Sequence, residues 1–153
     1  MKAIVTVGVS ASGKTTWAKK YASENDFVNI CRDDIRWRMI GVRDWSKWDF
    51  KFENSVTLIQ RHLIATVASE GKNIVISDTN LNSKHRKNLI TYLNSLGYDV
   101  EIVTFPVTFE EAVARDAKRE NGVGYSVIAK QMKAWNEYVG KQPVTQKHCP
   151  CLC

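Results

Sequence analysis

Gly8-Val9-Ser10-Ala11-Ser12-Gly13-Lys14-Thr15 reads as G-x-x-x-x-G-K-T, with Thr16 directly behind it. The motif follows the apolar run Ala3–Val7 and precedes a helix-compatible stretch from Thr16 to Glu24. A buried strand, a glycine-bearing turn and a helix in that order leave few architectures open. Glycine lets the backbone pass close to an anion, while the turn amides and the helix N-terminus point their donors at it. In such a loop Lys14 reaches the β- and γ-phosphates of a nucleoside triphosphate, and the Thr15 hydroxyl ligates Mg²⁺. Gly8, Ser10, Ala11, Ser12, Gly13, Lys14, Thr15 and Thr16 are therefore expected to form the phosphate cradle.

The rest of the chain repeats the alternation. Phe27–Cys31, Asn73–Ser77 and Asp99–Phe105 read as three further short strands. Helices are expected from Arg32–Arg36 onward, with the aspartates as caps, and from about Glu53 to Glu70, with Val56, Ile59, Leu63 and Val67 at helical spacing. A third opens at Asn82 or Ser83 and carries Leu89, Ile90, Leu93 and Leu96. Thr108-Phe109-Glu110-Glu111 is a capping box that opens a fourth, reaching about Arg119. Asn121-Gly122-Val123-Gly124 reads as a mobile break. A last helix runs from about Ser126 to Val139, with Ile128, Met132 and Trp135 inward. Alternating strands and helices predict an α/β fold, with a mainly parallel four-stranded sheet covered by helices on both faces.

Composition adds little and excludes some classes. A chain of 153 residues with a net charge of +6 fits one domain with a leaning toward a polyanionic partner. No apolar run reaches membrane-spanning length, so no membrane partner is expected. Three of the four cysteines crowd the end of the chain as His148-Cys149-Pro150-Cys151-Leu152-Cys153. These are soft-metal ligand types, but the C-x-C spacing lacks a second pair nearby. Residues 1–140 are read as the domain and 141–153 as a flexible tail.

Ligands of open α/β sheets gather at the carboxyl ends of the strands. Three strand ends here carry polar clusters, Gly8–Thr15, Arg32–Arg36 and Asp78–Asn80, which the fold should bring into one crevice. Asp78 closes an apolar strand, the position of a Mg²⁺-holding carboxylate. Thr79 and Asn80 orient it or cap the next helix. Asp33 or Asp34 is placed to take the proton of an attacking hydroxyl, and Arg36 to grip an anionic acceptor bidentately. Arg115, Lys118 and Arg119 lie before the glycine-bearing break and suit a lid over a triphosphate. Trp37, Trp45, Trp48, Phe50 and Phe52 interleave with Arg36, Arg38, Arg43, Lys47 and Lys51, which fits either single-stranded nucleic acid or a buried core. His62 and His85 read as ordinary surface residues.

The blocks G-V-S-A-S-G-K-T-T-W-A (8–18), N-I-C-R-D-D-I-R (29–36), V-I-S-D-T-N-L-N (75–82) and A-R-D-A-K-R (114–119) carry a family resemblance. The chain resembles the kinase domain of bacteriophage-type 5′-polynucleotide kinases over about residues 1–140. That resemblance implies a P-loop kinase fold and transfer of the γ-phosphate of ATP, with Mg²⁺, to the 5′-hydroxyl of single-stranded or end-exposed DNA or RNA. It places Lys14 and Thr15 in the cradle, Asp33 as general base and Arg36 on the acceptor's 3′-phosphate, with Thr79 beside the substrate. Asp78 falls on an active-site carboxylate, and Arg115 and Arg119 on lid arginines facing the donor phosphates. The N-terminal apolar run of five residues does not read as a signal peptide, so a cytoplasmic protein is expected, and a phage-encoded one acting in the host cytoplasm fits the resemblance. The best-known members also carry a 3′-phosphatase domain with a D-x-D motif, which has no counterpart here, so phosphatase activity is not expected; known members can form tetramers, and the oligomeric state of this chain is left open. A P-loop kinase of a small metabolite or nucleoside is the alternative on the same fold.

Overall fold

The computed structural model describes residues 1–142, so the cysteine-bearing end of the chain lies outside the described residues. Four strands, β1 (Lys2–Val7), β2 (Phe27–Ile30), β3 (Asn73–Ile76) and β4 (Asp99–Thr104), form one sheet in the order β2-β3-β1-β4. Every pairing is parallel, with Ile4 opposite both Val75 and Glu101. Parallel neighbours need crossovers, and helices supply them: α1 (Lys14–Asn25), α2 (Arg32–Ile40), α3 (Glu53–Ser69), α4 (Ser83–Ser95), α5 (Phe109–Ala117) and α6 (Tyr125–Gly140).

Both faces of the sheet are covered. Ala18 and Ala22 of α1 pack on Ile4 and Val75, small residues that let the helix sit close. Ile64 of α3 and Leu93 of α4 pack on the other face, against Ala3, Val5, Ile74 and Ile76. Ile128 and Trp135 of α6 join Ala112 of α5 against Val7, Val9 and Leu81, with Met132 partly buried beside them. The last three inward positions on α6 follow the expected pattern. Asn82 caps α4 by accepting from the His85 amide, and Thr108 caps α5 by accepting from Glu111.

Four local expectations change. The buried stripe of α3 is Val56, Gln60 and Ile64, while Ile59 and Leu63 are 38% and 40% exposed. Apolar spacing pointed one flank away from the true face, because polar Gln60 turns inward to a polar site. Neither Asp33 nor Asp34 caps α2: Cys31 holds the N-cap position, and Asp78 caps across space by accepting from the Arg32 amide at 2.7 Å. Helix α5 ends at Ala117, short of Arg119. The expected mobile break is fastened instead, since buried Asp116 accepts from the Val123 and Gly124 amides at 3.0 and 2.9 Å.

Segment 41–52 contains two 3-10 turns capped by Asp44 and Asp49. Its aromatics divide. Trp48 is buried with Ile35 and Val56, and Trp45 packs against that cluster together with Trp37 of α2, the two indoles edge-to-face at 4.7 Å. Phe50 remains 69% exposed.

Candidate active site

One cavity of about 620 Å³ opens at the carboxyl end of the sheet and takes a wall from each of the three polar strand ends. The expected crevice therefore exists. Lys14, Thr15, Asp33, Arg36, Asp78, Thr79 and Arg119 all line it.

The loop between β1 and α1 is shaped by its backbone. Gly13 and Ala11 both have positive φ, at 94° and 61°, so the chain coils tightly before α1 begins. A Cβ on Gly8 would stand 3.0 Å from both Phe105 Cβ and Ser12 Oγ, so a larger residue would crowd the loop where it leaves β1. The Gly8 amide donates to the Thr79 carbonyl at 3.1 Å, tying the loop to the end of β3. From α6, Gln131 accepts from the Ser10 amide at 2.7 Å. Ser12 is buried, whereas Thr15 and Thr16 are exposed at the lip.

Lys14 is 6% exposed, and its ammonium donates to the Val9 carbonyl at 2.6 Å. Burial lowers its pKa to about 8, although the carboxylates of Asp33 and Asp78 pull it back up. A lysine held this way is a cation awaiting an anion. A triphosphate in the loop would supply the negative charge that its surroundings withhold.

Asp78 is shared between roles. Its Oδ1 accepts from the Arg32 amide, and its Oδ2 accepts from Gln60 Nε2 at 2.7 Å. Burial raises its pKa, partly offset by those hydrogen bonds. The donor set fits Mg²⁺: the exposed Thr15 hydroxyl and the Asp78 carboxylate face the same cavity as the cradle. No group of three or more His, Cys, Asp or Glu ligands occurs among the described residues. Few protein ligands suit Mg²⁺, which keeps several waters and takes phosphate oxygens.

The wall that carries Asp33 and Arg36 is built around a residue the motifs did not flag. Glu53, at the start of α3, accepts from Arg36 Nε at 2.8 Å, Arg36 Nη2 at 2.9 Å, Arg32 Nη2 at 2.9 Å and Trp48 Nε1 at 2.9 Å. Burial opposes its ionisation, but the hydrogen bonds from Arg36 and Arg32 prevail and hold the carboxyl down to about 2. Arg36 also donates through Nη1 to Asp33 Oδ1 at 2.6 Å. Arginine has five N–H donors, so two on Arg36 stay available to an incoming anion. Arg32 turns away into α3, bonding Thr57 Oγ1 at 3.0 Å. Asp34 leaves the cavity and pairs with Arg43 at 3.6 Å. The structure thus separates the two aspartates and puts only Asp33 on the cavity.

The signal for this wall was present in the sequence. Glu53, Thr57 and Gln60 stand at i, i+4 and i+7 of α3, a polar line beside the apolar one. His85, read as an ordinary surface residue, also lines the cavity, whereas His62 is exposed and does not.

Of the two expected lid arginines, Arg115 lies on α5 and Arg119 just beyond its end. Arg115 pairs with Glu111 and lies 3.5 Å from the Ala11 carbonyl of the loop. Arg119 lines the cavity, 3.8 Å from the Asp116 carboxylate. Lys118 is exposed and does not line it.

A parallel sheet with a lysine-bearing phosphate loop at the end of its first strand defines a nucleotide-binding domain of the P-loop class. The sequence model of the AAA domain family matches residues 4–141, and the chain belongs to that family. A protein of Autographa californica nuclear polyhedrosis virus, described as a bifunctional polynucleotide kinase/RNA ligase, is 28% identical over 128 residues. That match covers 77% of this chain and 18% of the viral protein. Among solved structures, a chain of the Pnkp1/Rnl/Hen1 RNA repair complex superposes with a TM-score of 0.78 at 24% identity, covering 93% of this chain and 46% of that one. The APS kinase CysC of Mycobacterium tuberculosis, solved with AMPPNP and APS, gives 0.56 at 18% identity, covering 76% and 69%. The two structural likenesses establish the P-loop kinase fold. This chain spans less than half the length of either the viral relative or the repair-complex chain.

Proposed function

We propose that this chain transfers the γ-phosphate of ATP to the 5′-hydroxyl of a nucleic-acid end. The observation that carries the reading is the joining of two half-sites in one cavity: a phosphate cradle with Lys14 and Thr15, and a carboxylate–guanidinium pair, Asp33 and Arg36. Similarity to a viral polynucleotide kinase/RNA ligase supports a polynucleotide as the acceptor.

In this reading Lys14, Arg115 and Arg119 neutralise the donor phosphates. Arg36, braced by Glu53 on its Nε/Nη2 edge, presents its spare N–H groups to the acceptor's 3′-phosphate. Asp33 accepts the proton of the 5′-hydroxyl as that oxygen bonds to the γ-phosphorus; the bond from the γ-phosphorus to the bridging oxygen breaks, and ADP leaves. Thr79 lies beside the acceptor. Thr15 and Asp78 would hold Mg²⁺, which when bound neutralises charge on the β- and γ-phosphates. The protein then contributes placement and charge more than covalent chemistry. Action on nucleic-acid ends in the cytoplasm fits this reading, and no helix among the described residues is long and apolar enough to cross a membrane.

Labelled ATP offered with a 5′-hydroxyl oligonucleotide, its 5′-phosphorylated counterpart and a panel of nucleosides and small metabolites tests the proposal. Label should appear on the 5′-hydroxyl oligonucleotide alone. Label on a metabolite and not on the oligonucleotide would replace the proposal with a small-molecule kinase.

A further inference from the structure

A second concavity lies along an adjoining flank of α2. Lys19 of α1, Asp34, Trp37 and Arg38 of α2, and Arg43 beyond it line a groove of about 520 Å³. Three cations meet one carboxylate there, and only Arg43 is paired, with Asp34 at 3.6 Å. The side chains of Lys19 and Arg38 make no ion pair or hydrogen bond among the described residues and are exposed. Arg38 sits in the last turn of α2, where a cation suits the helix dipole. Lys19 in the middle of α1, and Arg43 outside any helix, have no such local reason. Gly41, at φ 74°, ends α2 in the left-handed region and turns the chain back so that Arg43 lies along the helix it has just left. Trp37, packed edge-to-face with Trp45, contributes an aromatic side chain to the lining.

We infer that this groove binds the single-stranded nucleic acid downstream of the acceptor end, its phosphates on Lys19, Arg38 and Arg43 and a base against Trp37. Cations around an aromatic face are the elements of sequence-tolerant strand binding. Both sites draw on α2: Asp33 and Arg36 line the cavity, while Asp34, Trp37 and Arg38 line the groove. A helix with its side chains is about 10–12 Å across, a span that a few nucleotides cover. The inference rests on the reading of the acceptor as a polynucleotide.

The double variant Lys19→Ala/Arg38→Ala tests it, since both side chains are exposed and outside the catalytic set. Anisotropy of a labelled 5′-hydroxyl dodecamer gives affinity against salt, and phosphorylation of the dodecamer is compared with that of a nucleoside 3′-phosphate, which is too short to reach the groove. Losing two phosphate contacts should weaken dodecamer binding roughly tenfold or more at 0.1 M salt and make the log–log salt slope shallower by about 1.4. KM for the dodecamer should rise, while kcat/KM for the nucleoside 3′-phosphate stays unchanged. Unchanged affinity and salt slope would overturn the inference, as would an equal loss on both acceptors. Stronger competition by an acidic peptide than by an unlabelled oligonucleotide would overturn it in favour of a protein ligand. If the wild-type chain phosphorylates neither acceptor, the kinase reading fails, and the anisotropy comparison still decides the groove.

Discussion

Lys14→Met removes the charge at the centre of the phosphate cradle and should make the nucleotide-free protein more stable. Lys14 is 6% exposed, and burial takes its pKa from 10.5 to about 8. A shift of that size corresponds to roughly 3 kcal/mol at neutral pH, at about 1.4 kcal/mol per unit. The unfolded chain keeps the Lys14 proton up to 10.5 and the folded chain only to about 8, so the unfolded state binds more protons across that window. The destabilisation is complete below pH 8 and absent above pH 10.5. Methionine keeps the side-chain length but leaves the Val9 carbonyl without its 2.6 Å hydrogen bond, a loss of about 1–2 kcal/mol. The net gain at pH 7 should be about 1–2 kcal/mol, or roughly 2–8 °C in Tm for a chain of this size. Thermal unfolding of both proteins at pH 7 and pH 10 measures it. The advantage should reverse at pH 10, and ATP should raise Tm of the wild type only. A variant less stable than wild type at pH 7, with the same deficit at pH 10, would refute the idea that the free cradle holds an unfavourably buried charge.

Other perturbations follow from the same geometry. Glu53→Gln should lower stability at pH 7 by about 2 kcal/mol after allowance for solvent screening. Its carboxyl is held from 4.5 down to about 2, so its contribution is full above pH 4.5 and lost as pH falls toward 2; acid unfolding curves of the two proteins should converge there. Arg36→Ala should reduce kcat/KM more on acceptors bearing a 3′-phosphate than on those lacking one, and equal losses would remove its acceptor role. Gly122→Ala would place a Cβ 2.6 Å from the Asp116 carbonyl oxygen. It should destabilise by about 1–3 kcal/mol and speed hydrogen exchange at the Val123 and Gly124 amides, which unfolding and exchange measurements would read.

The parts of this fold that were legible in the sequence are those fixed by local chemistry. The runs Ala3–Val7 and Asn73–Ser77 became the two central strands because a strand buried on both faces must be apolar along most of its length, and Asn82 and Thr108 cap the helices they precede. Gly8–Thr15 was legible because close approach to a phosphate needs glycine and a helix start in fixed order. Features that depend on distant partners were hidden. Gln60 turns α3 away from its apolar stripe because Asp78 waits for it across the sheet end. Asp116 fastens Gly124 although the intervening residues read as a loose break. Glu53 carried no motif, since its importance comes from two arginines and a tryptophan that only folding brings together. Spacing alone left Asp33 and Asp34 equivalent, and the helix resolves them by pointing one at Arg36 and the other at Arg43.

Transfer of the γ-phosphate from ATP to a 5′-hydroxyl oligonucleotide, measured in a single turnover for the wild type and for Asp33→Asn, bears most directly on the role of this cavity. The wild type should label the oligonucleotide, and the variant should bind ATP equally well but transfer at least roughly a hundredfold more slowly. Undiminished transfer by Asp33→Asn, or no transfer by a wild-type protein that binds ATP, would contradict it.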